Sequence, residues 1–416
     1  MSWPARIGTI AQRATTTRKL YGAGSNYFGE LGRNESYVSI RPSKDKFYTT
    51  GSNWVSGSKS LSQYAAVIST NKRLHVVGAI RSSTTATNYY KMVNRVSTGS
   101  NWVKCALHNV NYIYGMDGTN RNIWLGSLGN YSESSAGTTT LAKITTGSFK
   151  DFKVGSNQST FNPSTLALAN DDTLWGYGSN SNGELGDNTT TGRNSFVKIG
   201  TNTWTDFDIG YHSMAIRSDG TLWGWGYNGE GRIGDGTVAN RSSPVQIGTG
   251  TTWRQVTVGN GISIFPNNVL GHTGAVKTDN TLWTWGSNLY GQLGHNNTTN
   301  RSSPVQVGTD TNWSAVMCGA AFNTFALKTD GSLWAWGCNT RGLNDPTYGV
   351  IAMTGTGDYT TRSSPVQIAT GSIWTKNVFA SYTLQFAIDN NKNFWRWGNA
   401  YYAGNGYNNL TGSTSP

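Results

Sequence analysis

The sequence predicts an all-β protein, a closed β-propeller of four-stranded blades, and three observations carry that expectation. A phrase of the form Leu-Trp-x-Trp-Gly recurs along the chain, starting at Leu20, Leu74, Ile123, Leu174, Leu222, Leu282, Leu333 and Phe394. An aromatic residue opens each unit, at Trp54, Trp102, Phe149, Trp204, Trp253, Trp313 and Trp374, with spacings of 47 to 61 residues. That period suits a blade of four short strands. Glycine supplies 52 of the 416 residues, alongside 17 Trp and 20 Tyr, while charged residues make up only 13%. Such a composition fits short strands joined by tight polar turns, and the aromatics supply burial that a disordered chain lacks.

The clearest unit shows each element in order. Alternation in Trp204-Thr-Asp-Phe-Asp-Ile209 reads as a strand with one buried face. His212-Ser-Met-Ala-Ile216 follows, and Asp219-Gly220 then makes a hairpin turn, as do Asp279-Asn280, Asp330-Gly331 and Asp389-Asn390. Gly or Asn tolerates the positive φ of such turns. The glycines of Leu222-Trp-Gly-Trp-Gly226 let neighbouring backbone approach closely. Ser-Ser-Pro at 242–244, 302–304 and 363–365 starts the last strand, where a missing N–H costs least. One blade cannot bury both faces alone; stacking between two neighbours does so, and ring closure protects the ends.

The count is open between seven and eight blades in a single domain spanning residues 1–416. Eight copies of the Trp-Gly phrase occur, with Leu20-Tyr-Gly-Ala-Gly24 the first and Phe394-Trp-Arg-Trp-Gly398 the last. The last copy lacks a Pro-Val-Gln-Ile strand, and Pro4-Ala-Arg-Ile7 resembles it. Residues 1–10 therefore either close the ring against 374–398 or open the first blade. Copies two and three are degenerate. Inserts around 259–272 and 341–360 are expected to protrude, and protruding loops commonly carry function.

The formal charge of +12, from 33 Lys+Arg against 21 Asp+Glu, favours anionic surfaces. Without a dense basic run, nucleic acid is not the main partner expected. Cys105, Cys318 and Cys338 form neither a disulfide framework nor a metal cluster, and the latter two read as small buried hydrophobes in strands. Met1-Ser-Trp-Pro-Ala-Arg6 has no apolar signal-peptide core, and no stretch reaches the 18 apolar residues of a membrane span. The expectation is synthesis in the cytoplasm without membrane insertion.

Two phrases are highly specific: Trp175-Gly-Tyr-Gly-Ser-Asn-Ser-Asn-Gly-Glu-Leu-Gly186 and Trp285-Gly-Ser-Asn-Leu-Tyr-Gly-Gln-Leu-Gly294. Tyr21-Gly-Ala-Gly-Ser-Asn-Tyr-Phe-Gly-Glu-Leu-Gly32 repeats the signature. On these residues the chain resembles the RCC1 (regulator of chromosome condensation) repeat family, in the manner of a divergent phage, viral or bacterial member. The resemblance implies an RCC1-like β-propeller, usually of seven blades, so eight signatures are a departure. Family functions range over exchange factors for small GTPases, chromatin docking, photoreception, protease inhibition and assembly domains. No wedge-like insertion or acidic face carries over residue by residue, and fold alone licenses no function.

Candidate sites follow from repetition. Arg193, Arg241, Arg301 and Arg362 precede last strands, so they fall on one rim and form a partial positive ring that suits carboxylates or phosphates, unless each pairs locally. His212 and His272 precede similar segments, with Asn323 and Tyr382 at the analogous places, and read as polar residues fixing a turn. Glu30, Glu184 and Glu230, joined by Gln292, recur once per blade and read as structural rather than as a catalytic pair. Phe265, Tyr348 and Tyr359 in the inserts, with Tyr401 and Tyr402, are candidate anchors for a protein or a sugar. No phosphate loop, nucleophile elbow or metal-ligand spacing occurs, so neither cofactor nor metal is expected.

The expected role is therefore not enzymatic. The leading expectation is a structural or adhesion-type virion component (tail, fibre or capsid surface) contacting proteins in a larger assembly, or a glycan or receptor. The alternative is a regulator or scaffold of exchange-factor type acting on a small GTPase.

Overall fold

The computed structural model describes residues 39–44, 54–57, 64–69, 71–81, 89–95, 101–108, 112–127, 141–145, 148–155, 163–259, 271–319, 322–339, 353–380, 384–391 and 394–398. Every regular element among them is a strand, and all pairings are antiparallel, between chain neighbours in a meander except where Ser39–Lys44 joins Phe394–Gly398. Blade 1 comprises Trp54–Gly57, Tyr64–Ser69, Leu74–Arg81 and Tyr89–Arg95; blade 2 comprises Trp102–His108, Tyr112–Asp117, Ile123–Ser127 and Ala142–Lys143. Blade 3 holds Phe149–Val154, Thr165–Ala169 and Thr173–Gly178, and blade 4 holds His212–Arg217, Leu222–Gly226 and Arg241–Gln246. The strand Arg193–Ile209 serves both, as the outer strand of blade 3 and the opening strand of blade 4.

Blade 5 is Trp253–Gly259, His272–Lys277, Leu282–Gly286 and Arg301–Gln306; blade 6 is Trp313–Cys318, Asn323–Lys328, Leu333–Gly337 and Arg362–Ile368. Blade 7 takes Trp374–Ala380, Leu384–Asp389 and Phe394–Gly398 from the chain's end and Ser39–Lys44 from near its start. The described residues thus make a seven-bladed RCC1-like β-propeller. Opening strands of successive blades touch one another around the ring, and that of blade 7 reaches that of blade 1. They therefore line the axis. Residues 1–10, and the signature that starts at Leu20, lie outside the described residues.

The hydrophobic core sits between blades rather than within them. Met214, Ile216, Leu222, Ile233 and Ile247 of blade 4 pack with Trp253, Val256, Val258, Ala275 and Trp285 of blade 5. The opening Trp102, Trp204, Trp253, Trp313 and Trp374 each meet the third strand of their own blade edge-on; Trp253 lies 6.0 Å from Trp283 and 6.2 Å from Trp285 between ring centroids. The opening strands depart from simple alternation, since Phe207, Asp208 and Ile209 are all buried. Two causes act: the next blade covers the second face, and a bulge shifts the register just after each opening aromatic, as between Trp204 and Asp206. Cys105, Cys318 and Cys338 are buried thiols, and Cys338 lies just beyond its strand rather than in it. Burial pushes the Cys105 thiol up to about 12.

Candidate binding face

Register defines two faces of the ring. In blade 4, His212 stands opposite Gly226 and Gly226 opposite Arg241; blade 5 aligns His272, Gly286 and Arg301, and blade 6 aligns Asn323, Gly337 and Arg362. These residues mark one end of every blade, here the loop face. The connections from Gly259 to His272 and from Gly337 to Arg362 begin and end on it. The opposite hairpin face carries the Asp-Gly and Asp-Asn turns, with positive φ at Gly220, Asn280 and Gly331. In blade 7 the register puts Leu384 at the place of His212, two residues beyond the expected Tyr382, which lies outside the described residues.

In blades 3 to 6 the loop after the third strand is folded around one buried asparagine. Asn228 Nδ2 donates to the Thr237 and Ala239 carbonyls, each at 3.1 Å, and its Oδ1 accepts from the Ile233 amide at 2.9 Å. Asn180, Asn288 and Asn339 repeat this clip. A buried amide that satisfies three backbone groups fixes the loop without any regular element. The loop then docks on the following blade, where the Asn188, Gly236 and Asn296 amides donate to the Ser242, Ser302 and Ser363 carbonyls.

The rim arginines emerge from these loops, and three of them hold an aspartate of their own loop. Asp187 receives Arg193 Nε at 2.6 Å, Asp235 receives Arg241 Nε at 2.9 Å, and Asp358 receives Arg362 at 2.5 Å. Asp187 and Asp235 also accept from the hydroxyls of Thr189 and Thr237. Partial burial raises these two carboxyls, but the threonine hydroxyls and arginines outweigh it and hold them below the ordinary range. In blade 5 the place of the aspartate is taken by His295, whose Nε2 lies 3.0 Å from Thr284 Oγ1. Burial, aided by the charge of Arg301 and opposed by the Val305 carbonyl, lowers the pKa of His295. Arg301 Nε is buried and lacks a hydrogen-bond partner among the described residues.

Other candidates are placed as follows. His212 and His272 fix blade contacts rather than turns: their Nε2 atoms lie 2.7 and 2.8 Å from the hydroxyls of Thr273 and Thr324 in the next blade. Glu184 is buried and accepts from Ser164 Oγ and the Asn182 amide at 3.1 and 2.7 Å. Its equivalent in blade 4 is Arg232, not Glu230. The carbonyls of Glu184, Arg232 and Gln292 all accept from a hydroxyl of the following blade, at 2.6 to 2.8 Å. Arg232 is buried, ion-paired with Glu230 and centred 4.6 Å from the Tyr227 ring. Tyr359 is half-buried beside Asp358. Phe265, Tyr348, Tyr401 and Tyr402 lie outside the described residues.

Sequence reasoning missed a belt of charges on the opening strands. Lys104 pairs with Asp151, and Lys153 lies 3.8 Å from Asp206 of the next blade. Asp206 in turn accepts from the Val256 amide at 2.8 Å, and Asp208 from the Val258 amide and Thr257 hydroxyl at 2.9 Å. Gln255 both donates to and accepts from the Val316 backbone. An axial strand has one unpaired edge, and these side chains satisfy it. In the sequence, Asp206 and Asp208 were visible only as the polar half of an alternation.

Comparison with known proteins agrees with this geometry. Models of the regulator of chromosome condensation (RCC1) repeat match residues 219–265, 279–326 and 313–343. These stretches match the RCC1 repeat, and the fold described above is RCC1-like. It is 40% identical over 75 residues to the X-linked retinitis pigmentosa GTPase regulator homolog of Caenorhabditis elegans, a match covering 18% of this chain and only 5% of that protein. Among solved structures, human WBSCR16 superposes with a TM-score of 0.62 at 14% identity, covering 85% of this chain and 88% of that one. Prp20p of Saccharomyces cerevisiae gives 0.58 at 14% identity, covering 83% and 81%. These likenesses to solved structures establish the fold alone.

Proposed function

We propose that this chain is a non-catalytic protein-binding scaffold whose loop face makes the contacts. The observation that carries the reading is the construction of that face. In the described loops of blades 3 to 6, asparagine clips and blade-to-blade hydrogen bonds hold the backbone in place, so contact groups there are presented without a large ordering cost on binding. Three rim aspartates, Asp187, Asp235 and Asp358, are each spent on an arginine of their own loop.

A regulator or scaffold of exchange-factor type is the more specific reading. It is supported by the resemblance to a protein named a GTPase regulator and by the fold shared with Prp20p, described as binding Gsp1p and histones. A yeast RCC1 bound to Kap60 is a further example of a protein partner on this fold. The second reading is the particle-borne role expected from composition: a ring with every blade paired on both sides and few charges suits a tail, fibre or capsid-surface part. Glycan contact by loop aromatics belongs to that reading.

Mass spectrometry across density-gradient fractions of native source material, after cross-linking, separates these. Fixed-ratio migration with a small GTPase, and cross-links from loop-face residues, is the expected result. Fixed-ratio migration with capsid or tail proteins replaces the regulator by the particle component. Recovery as a free monomer in every fraction overturns the scaffold reading itself.

A further inference from the structure

We propose that Arg301 is a receptor for a carboxylate side chain of a protein partner. The proposal rests on the loop-face reading above and names the chemistry of one of its contacts. The other blades supply the comparison. Arg193, Arg241 and Arg362 stand at the same place on the rim, and each is filled by an aspartate from its own loop. The three copies show what that place accommodates: a single carboxylate, set against the guanidinium and a neighbouring hydroxyl. In blade 5 the acid is missing. His295 occupies its position, turned to Thr284, and the Arg301 guanidinium has no carboxylate to meet among the described residues.

The arginine is held ready from both sides. Its neighbour Ser302 gives its carbonyl to the Gly236 amide of the blade 4 loop, and Gly231 of that loop is so near that a Cβ there would lie 2.5 Å from Ser302 Cα. On the other side Asn288 fixes the blade 5 loop through the carbonyls of Asn297 and Thr299, both at 3.0 Å. These same two loops carry exposed apolar side chains, Val238 at 63% and Leu289 at 54% exposure. The third such residue among those described, Ile373, is on the hairpin face. A charge that lacks its internal partner, set between two rigid loops that each carry an exposed aliphatic group, matches an acidic side chain flanked by apolar ones. A carboxylate rather than a phosphate is inferred because the sibling sites are built for one negative charge from one aspartate.

The test uses the full chain and three capped peptides: Leu-Asp-Leu, Leu-Asn-Leu and Leu-phosphoserine-Leu. Binding is read by calorimetric titration in every variant, and is located in the unaltered chain by the ¹⁵N resonance of Arg301 Nε. The aspartyl peptide should give a saturable shift, with the asparaginyl peptide at least about tenfold weaker. Arg301→Gln should abolish the preference. His295→Asp should also abolish it while raising the thermal midpoint, because the chain then fills its own receptor as blades 3 and 4 do. Should His295→Asp fail to fold, Arg301→Gln decides alone. Absence of a saturable shift, equal binding of the aspartyl and asparaginyl peptides, tighter binding of the phosphoserine peptide, or undiminished binding in the variants overturns the proposal. Such a failure leaves the rest of the loop face able to bind a partner. Failure of the gradient experiment would leave the peptide result standing.

Discussion

Asn228 spends both ends of its amide on backbone, so its removal strands one buried amide and two part-buried carbonyls. Asn228→Ala leaves the Ile233 amide and two carbonyls without their partner, and a loss of about 2–3 kcal/mol is expected in urea unfolding. Asp235→Ala should cost less, about 1–2 kcal/mol. Its ion pair with Arg241 is partly exposed and screened, so most of the loss comes from the Thr237 amide and hydroxyl. Both Asp187 and Asp235 have lowered pKa values in the folded chain. A depressed carboxyl contributes stability above its unfolded pKa and loses it as pH falls through the folded value. The thermal midpoint should therefore hold from pH 7 to about 4 and drop below that. At this scale the sequence was least legible. Arg193 and Asp187 are six residues apart with no periodicity to join them, and Glu230 mimicked Glu184 because the phrase Gly-Glu-Gly-Arg-Ile-Gly234 sets its glutamate before the glycine instead of after it.

Strands and turns, by contrast, were legible because their chemistry is local. Asp219-Gly220 and Asn280 sit in turns that need positive φ, and the Ser-Ser-Pro runs fall within outer strands as expected. What escaped was contact between elements. The bulges after the opening aromatics depend on how the second strand pairs, and Arg193–Ile209 continues through a blade boundary without a break. Two glycines isolate the contribution of blade docking. Gly248 has φ +61, and a methyl group added there would meet no heavy atom within 4 Å, whereas Gly231 has φ +74 and lies against Ser302 of the next blade. Gly248→Ala should cost about 1–2 kcal/mol for the backbone alone. Gly231→Ala adds a clash with backbone and should cost at least about 3 kcal/mol, checked by comparing urea midpoints of the two variants.

For the molecule as a whole, the periodic tryptophans made the propeller readable, and composition made burial between blades readable. The blade count was not, since a repeat unit does not announce which strand completes which sheet. Ser39–Lys44 pairs with Phe394–Gly398 and completes blade 7, a contact no local signal marks. Deleting residues 1–44 should expose the edge of Phe394–Gly398. The expected outcome is a thermal midpoint lower by several degrees and a concentration-dependent shift to larger species in size-exclusion chromatography. A deletion variant that stays monomeric with an unchanged midpoint would mean that the closing strand adds nothing to the ring. Along the axis, Asp208→Ala removes the acceptor of the Val258 amide and should cost about 2–3 kcal/mol, read by denaturant unfolding.

The pairing of Ser39–Lys44 with Phe394–Gly398 also sets a timetable. A ribosome adding about 5–20 residues per second needs tens of seconds between making the first of these segments and the second. Through that interval the early segment has no mate, and six growing blades have no seventh to seal them. Translation of this chain is therefore a period of exposure that ends only with its last strand, and slowing elongation should lengthen the time during which the nascent protein is a substrate for chaperones and proteases.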